Sequence, residues 1–423
     1  MTDTIFALAS GSPPAAIGVV RISGPRAGEA LERLAGGLPA PRRVSLRLLA
    51  DSEGRELDRA LVLWFPGPAS ATGEDCAELH CHGGRAVIAG VLAALAGMPG
   101  LRAAKAGEFT RRAFLNGRID LAQAEALGDL LSAETELQRR AAQAGVGGAL
   151  SRLVHGWRDE VLALSALVEA VLDFADEDDV AALPAGFEGR HDALARAIDE
   201  ALRQPRMERL RDGIRVVLAG PPNSGKSSLF NALSGEDAAI VSPVAGTTRD
   251  VIERAGSFAG LPLVLVDTAG LRESGADGIE RIGIERTHTQ LALADIVLWL
   301  GPEGQGPAGA LEIQARCDDA SAPRKRAPDH VVSAVTGEGI PALAGDLAER
   351  ARAVLPGPGS VAINRRQAEA LEEALAALSE RSADLLLAAE SLRAARAAFD
   401  RLLGTAGVED MLDGLFGRFC IGK

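Results

Sequence analysis

The chain has 423 residues, 47% hydrophobic and 24% charged, and carries a formal net charge of -13. Its length exceeds what one hydrophobic core ordinarily supports and predicts two or three domains. The acidic total excludes broad, sequence-independent binding of nucleic acid and confines any RNA contact to a local basic surface.

In chain order, the opening MTDTIFALASGSPP lacks the basic start and apolar run of a secretory signal, and no apolar stretch of about 20 residues suggests a membrane span. The expectation is a cytoplasmic protein with no membrane segment. As far as Gly117, short β-rich runs such as 16–22 and 60–65 alternate with Gly/Pro turns and lead into a helix-like stretch at 85–96. That pattern predicts a small α+β domain. From Ile119 the period changes, with Leu150, Leu153, Val154, Trp157, Val161, Leu164, Val168 and Val171 at helical spacing. At Gly213 it changes again: a strand at 214–219 enters a Gly-rich loop and then a helical run at 227–233. This α/β unit ends near Leu355-Pro-Gly-Pro-Gly359, and 368–403 returns to leucine- and alanine-rich helical spacing. The predicted fold is a multidomain α/β protein: an α+β domain at 1–117, an α-helical bundle domain split between 118–212 and 356–423, and a Ras-like P-loop domain inserted at 213–355.

Gly220-Pro-Pro-Asn-Ser-Gly-Lys-Ser227 satisfies the G-x-x-x-x-G-K-[ST] pattern, with a strand before it and a helix after it. Asn223, Ser224, Gly225 and Ser228 belong to the same loop and helix start. The glycines let backbone N–H groups curl around phosphates, Lys226 meets their charge, and the Ser227 hydroxyl is a ligand for Mg²⁺. Downstream, Asp267-Thr268-Ala269-Gly270 closes an apolar strand, where Asp267 can hold the Mg²⁺ shell and the Gly270 N–H can reach the γ-phosphate. Between them, Gly246-Thr-Thr-Arg-Asp250 places Thr248 to add a second hydroxyl to the metal. Lys226, Thr248 and Asp267 in that order form the P-loop GTPase series and predict nucleotide hydrolysis.

Guanine selection requires N-K-x-D after the next strand, and the best-aligned segment is Ala315-Arg316-Cys317-Asp318, closing 311–314. Asp318 can accept hydrogen bonds from the guanine edge and the Arg316 stem can cover the ring. The Asn contact is missing, which predicts weakened base affinity by on the order of 0.5–1.5 kcal/mol. The stretch between strand 295–300 and this one is Gly/Pro-rich with no helix period. Ser333-Ala334-Val335 fits the closing S-A-x loop that buttresses the base.

These segments resemble one family. Gly220-Pro-Pro-Asn-Ser-Gly-Lys-Ser-Ser228, Gly246-Thr-Thr-Arg-Asp250, Asp267-Thr-Ala-Gly-Leu-Arg-Glu273 and Glu280-Arg-Ile-Gly283 are similar to the MnmE (TrmE) GTPase domain. The chain also ends in that family's hallmark, Phe419-Cys-Ile-Gly-Lys423, and its amino-terminal part carries further long matches at 18–25, 72–84 and 107–126. The resemblance implies a folate-binding N-terminal domain that dimerises into a homodimer. It implies an FAD-containing MnmG (GidA)-type partner, with which such proteins modify carbon 5 of the wobble uridine of certain tRNAs. The one-carbon donor would be 5,10-methylene- or 5-formyl-tetrahydrofolate, and GTP hydrolysis with Mg²⁺ and K⁺ would drive the cycle.

Residue by residue, the resemblance implies a K⁺ site at Asn223, Thr247 and the Ser242 and Val244 carbonyls; Asn223, Ser242 and Thr247, with Thr268 and Ala269, also belong to the GTP site. A cation there can supply charge that an arginine finger supplies elsewhere. It implies that Glu280 is catalytic and orients the attacking water, and that Arg21, Glu78, Arg118 and Lys423 bind folate. Position 118 is often Lys in the family and is Arg here.

Four cysteines, Cys76, Cys81, Cys317 and Cys420, lack disulfide or zinc-finger spacing and are expected to be free thiols. His80-Cys81-His82 has a metal-like composition, but on a strand its side chains alternate faces and cannot converge on one ion. Cys420 is a candidate only, for a reactive thiol or for packing or positioning near the folate. A rival function is an RNA- or ribosome-binding assembly GTPase of the Era/EngA kind, which shares the nucleotide motifs but lacks the terminal Phe-Cys-Ile-Gly-Lys.

Overall fold

A computed structural model of the chain describes residues 3–173, 183–204, 206–234, 239–240, 252–258, 260–267, 290–355, 357, 361–380, 382, 384–406, 409–417 and 419–422. The chain divides into two units, Met1–Gly128 together with Arg396–Lys423, and Asp129–Ala395.

The first unit is built on a sheet of β1 (Thr4–Leu8), β2 (Ile17–Ser23), β3 (Ser45–Ala50), β4 (Glu56–Phe65), β5 (Cys76–His82) and β6 (Leu101–Ala103), in the order β3-β4-β5-β2-β1-β6. Neighbours are antiparallel except β1 and β6. Alternation along each strand separates two faces. On one, Phe6, Val20, Ile22, Val62, Leu79 and Cys81 are buried beneath α1 (Ala27–Ala35) and α2 (Arg85–Ala96). The intervening residues Arg21, Glu78 and His80 therefore face the other way. On that side Phe109 of α3 (Glu108–Leu115) packs with Ile5, Ala7 and Ala104, while Arg21 and Glu78 stay half-buried.

The carboxyl-terminal segment completes this unit. After α12 (Leu385–Leu403) comes α13 (Glu409–Phe416), and Leu412, Phe416 and Phe419 are buried with Leu121 and Ala124 of α4 (Leu121–Ser132). The rings of Phe114 and Phe419 stand 6.2 and 6.0 Å from that of Phe416. Ile421 then bridges Ala106.

The second unit holds α5 (Glu136–Val146), α6 (Ala149–Asp173), α7 (Phe187–Leu202), α8 (Met207–Asp212) and α11 (Arg365–Ser379), with α9 (Lys226–Leu233) and α10 (Ile340–Val354) flanking a seven-stranded sheet. Its strands are β7 (Ile214–Ala219), β8 (Ala239–Ile240), β9 (Ile252–Phe258), β10 (Leu261–Asp267), β11 (Ile296–Trp299), β12 (Leu311–Gln314) and β13 (His330–Val331). The order β13-β12-β11-β7-β10-β9-β8 is parallel as far as β10 and antiparallel beyond, as the Ras-like expectation requires. The core of this sheet continues across the change of period at Gly213, because Ala142 of α5 and Met207 and Leu210 of α8 are buried with Leu263 and Leu265. All eight residues of the 150–171 helical series lie on α6, where Leu150, Val154, Val161, Leu164, Val168 and Val171 are buried.

The helical run expected at 368–403 is two helices. Ser382 Oγ accepts the Asp384 N–H at 3.0 Å and Asp384 Oδ1 accepts that of Leu386 at 2.8 Å, so side chains satisfy the backbone at the start of α12. Between β11 and β12 residues 301–310 form turns, although parallel neighbours ordinarily need a crossover of about a dozen residues or more, usually helical. Their glycines and prolines are poor helix formers. Gly301 and Gly306 instead lie against the Trp299 indole, whose Nε1 donates to Pro302 O at 2.8 Å.

Candidate functional site

The nucleotide-type loop runs from the end of β7 into α9. Gly220, Asn223 and Gly225 take φ values of 151°, 61° and 94°. A Cβ on Gly220 would lie 3.0–3.1 Å from Gly301 N, Leu300 C and Ser224 Oγ, so only glycine lets the loop fold this tightly against the end of β11. Lys226 is buried, and its Nζ donates to Gly220 O at 2.9 Å and Pro221 O at 2.7 Å. Ser227 Oγ donates to Asp267 Oδ2 at 2.6 Å, across parallel strands that set Asp267 opposite Leu218. Ser224 Oγ is buried without a hydrogen-bond partner among the described residues. These groups fit a magnesium-bound triphosphate: an ammonium and a helix amino terminus for the phosphates, an orphaned hydroxyl, and a hydroxyl–carboxylate pair of hard oxygen ligands.

The segments expected to receive the base lie beside this loop. Ala315 and Arg316 approach Gly225 from β12: a Cβ built on that glycine would be 3.5 Å from Ala315 Cβ and from Arg316 Cγ. Arg316 (φ 56°) donates to Asn223 O at 3.4 Å and pairs with Asp319. Ser333 Oγ donates to Asp318 Oδ1 at 2.5 Å and accepts from the Val335 and Thr336 N–H groups at 3.2 and 3.1 Å. Asp318 and the Ser333-Ala334-Val335 turn are thus brought together. Lys325 closes the other side of this half, with its Nζ on Glu312 and 2.7 Å from Trp299 O.

In the first unit, cross-strand register sets Arg21 opposite Glu78, and Arg21 Nε and Nη2 donate to Glu78 Oε1 at 3.0 and 2.8 Å. Burial favours the neutral form of Glu78, but the Arg21 guanidinium and a bond with His80 outweigh it and hold the carboxyl below its usual range. A cavity of about 310 Å³ opens here, lined by Arg21, Arg42, Phe65, Cys76, Glu78 and Arg118 among others. Three of the four residues expected at a folate site therefore share one cavity. Elsewhere in this unit fully buried Arg112 pairs with Asp3, Glu74 and Glu108. Arg42 was not singled out by spacing, because residues 42, 78 and 118 meet only in the fold: Arg42 bonds to Trp64 O of β4, Glu78 lies on β5 and Arg118 follows α3.

Cys81 is in the core, where burial and then the Asp58 charge push its thiol up to about 12, while His82 Nδ1 meets Asp58 at 2.7 Å. The His80-Cys81-His82 side chains thus diverge. Cys420 is exposed, and its carbonyl accepts the Gly107 N–H at 3.5 Å. Ser242, Val244, Thr247, Thr248, Thr268, Ala269, Gly270, Glu280 and Lys423 lie outside the described residues. Among the described residues no helix is long and apolar enough to cross a membrane.

A family model described as the MnmE helical domain matches residues 121–420, and one described as the GTP-binding protein TrmE N-terminus matches 4–118. The chain belongs to the MnmE (TrmE) family. MnmE relatives match over the full length. The tRNA modification GTPase MnmE of Erythrobacter litoralis (strain HTCC2594) is 63% identical over 423 residues, and that of Novosphingobium aromaticivorans 59% over 437, each alignment covering 100% of both chains. Among solved structures, the G domain of the T. maritima FeoB iron transporter is 24% identical, covering 33% of this chain and 98% of that one, with a TM-score of 0.23.

Proposed function

We propose that the chain is a tRNA modification GTPase that works with an FAD-containing MnmG-type protein on the wobble uridine. It is a GTP hydrolase. The observation that carries the reading is the coexistence in one MnmE-family chain of the Lys226, Ser227 and Asp267 cluster with the Arg21, Glu78 and Arg118 cavity.

In the second unit, Lys226 holds the phosphate charge and the Ser227 hydroxyl, with Thr248 and Asp267, serves Mg²⁺. Asn223, Ser242, Val244 and Thr247 hold K⁺, and Glu280 orients the attacking water. Asp318 and the 333–335 turn receive the guanine. In the first unit, Glu78, paired with Arg21, accepts from the N–H groups of the pterin beside that guanidinium, while Arg118 and Lys423 take anionic groups, following charge-assisted pairing. A bound methylene- or formyl-tetrahydrofolate supplies the one-carbon unit. The division at 117, 212 and 355 separates these roles. Exposed Leu46, Leu48 and Leu61 on β3 and β4 support a homodimer through the first unit.

Two measurements test this. Wobble nucleosides from a strain lacking the chain should lose the C5 substituent by mass spectrometry; unchanged nucleosides with defective ribosome assembly would favour the Era/EngA-type reading. Turnover of GTP should rise when K⁺ replaces Na⁺, and Asn223→Ala should erase most of that rise; an unchanged K⁺ response would remove Asn223 from the cation site.

A further inference from the structure

We propose that Arg42 is a binding residue of the first unit's cavity, clamping with Arg118 the two carboxylates of a folate's glutamyl tail, so that the site selects doubly anionic ligands. This rests on the folate reading above and adds to it a residue and a charge requirement.

The charged side chains around the cavity are Arg21, Arg42, Arg118 and Glu78. Arg21 and Glu78 neutralise each other at 2.8 Å, with side chains 24% and 21% exposed. Among the described residues no carboxylate pairs with Arg42 or Arg118. Three arginines against one carboxylate, among the described residues, leave two positive charges in excess. A guanidinium cannot shed its proton to relieve that excess, so a ligand that balances the site brings about two negative charges.

Placement divides the work. The ion pair and buried Cys76 belong to the floor, whereas Arg42 and Arg118 are exposed at the rim. The volume is at the small end of the roughly 300–1,000 Å³ typical of ligand sites, so a ring held on the floor leaves its tail at the rim. A glutamyl tail ends in two carboxylates and matches both rim cations.

Arg42 is also held for this task rather than left loose. Its N–H donates to Trp64 O at 2.8 Å, its guanidinium stands over the Phe65 ring at 5.8 Å, and it donates to Ala69 O. Its φ of 60° is uncommon for a long side chain, and those contacts hold the residue there. An arginine restrained this way loses little further freedom on meeting a carboxylate.

The test is calorimetric titration of the full-length protein with 5-formyl-tetrahydrofolate, with its tail-less counterpart 5-formyl-tetrahydropteroate, and with p-aminobenzoylglutamate. Arg42→Gln should weaken binding of the glutamylated pterin about tenfold, leave the tail-less pterin unchanged, and be partly rescued by Arg42→Lys. Equal losses for both pterins mark a merely structural role and overturn the proposal, as does unaltered binding of both, and in either case the folate reading stands. If the unsubstituted protein binds neither pterin, the folate reading fails. Binding of p-aminobenzoylglutamate that Arg42→Gln abolishes then still supports the dianion clamp, and its absence overturns that too.

Discussion

Ala315 stands where a guanine-selecting loop would carry asparagine, and its Cβ is 3.5 Å from the position a Cβ on Gly225 would take. An amide placed there reaches both the phosphate loop and the base, while Asp318 and Ser333 keep their own bond at 2.5 Å. Ala315→Asn is therefore expected to tighten GTP about two- to twelvefold, the worth of one hydrogen bond of about 0.5–1.5 kcal/mol, with no change for ATP. Titration with a fluorescent GTP analogue checks this; unchanged affinity would mean that another group already makes the contact. The phosphate half of this site was legible because its residues are contiguous: Gly220, Lys226 and Ser227 occupy one loop and one helix start. Arg42 was not legible. Its relation to Glu78 and Arg118 comes from sheet register and a left-handed turn, which leave no spacing signal between residues so far apart in the chain.

At the scale of elements, periodicity located α2, β7 and β12 to the residue, because each combines an apolar pattern with a flanking glycine or charge. It missed the break between α11 and α12, where leucine-rich pattern continues on both sides and, among the described residues, the Ser382 and Asp384 side chains mark a new helix start. The turn-only connection at 301–310 was legible from composition, and Lys325 bonding to Glu312 and Trp299 O explains how the strands still hold together. The terminal segment poses a different case, because its placement depends on close backbone approach. A Cβ on Gly422 would lie 2.3 Å from Leu8 O and 2.8 Å from Ala9 Cα, at a φ of 97°. Gly422→Ala should therefore displace the segment carrying Cys420 and Ile421 from beside Ala106. The expected readout is faster deuterium uptake at 419–422 and stronger labelling of the Cys420 thiol, with GTP hydrolysis unaltered. Unchanged uptake would show that the backbone accommodates the methyl by shifting.

Among the described residues each sheet carries its own large hydrophobic core, one from the β1–β6 sheet with α1 and α2, the other from the β7–β13 sheet with α5, α8, α9 and α10. The proposed ligands divide in the same way: folate meets side chains of the first unit alone, and the nucleotide those of the second. Ligand binding stabilises only the fold that forms its site, by about 2.7 kcal/mol at a hundred times the dissociation constant. For units of this size that amounts to a shift of about 5 °C or more in the transition concerned. Scanning calorimetry on the full chain should then show Mg²⁺·GDP raising one transition and 5-formyl-tetrahydrofolate raising the other. With both ligands present, each shift should keep the size it had alone. A single transition moved by either ligand would instead mean that the cores unfold as one, and that nucleotide and folate sites communicate through the stability they share.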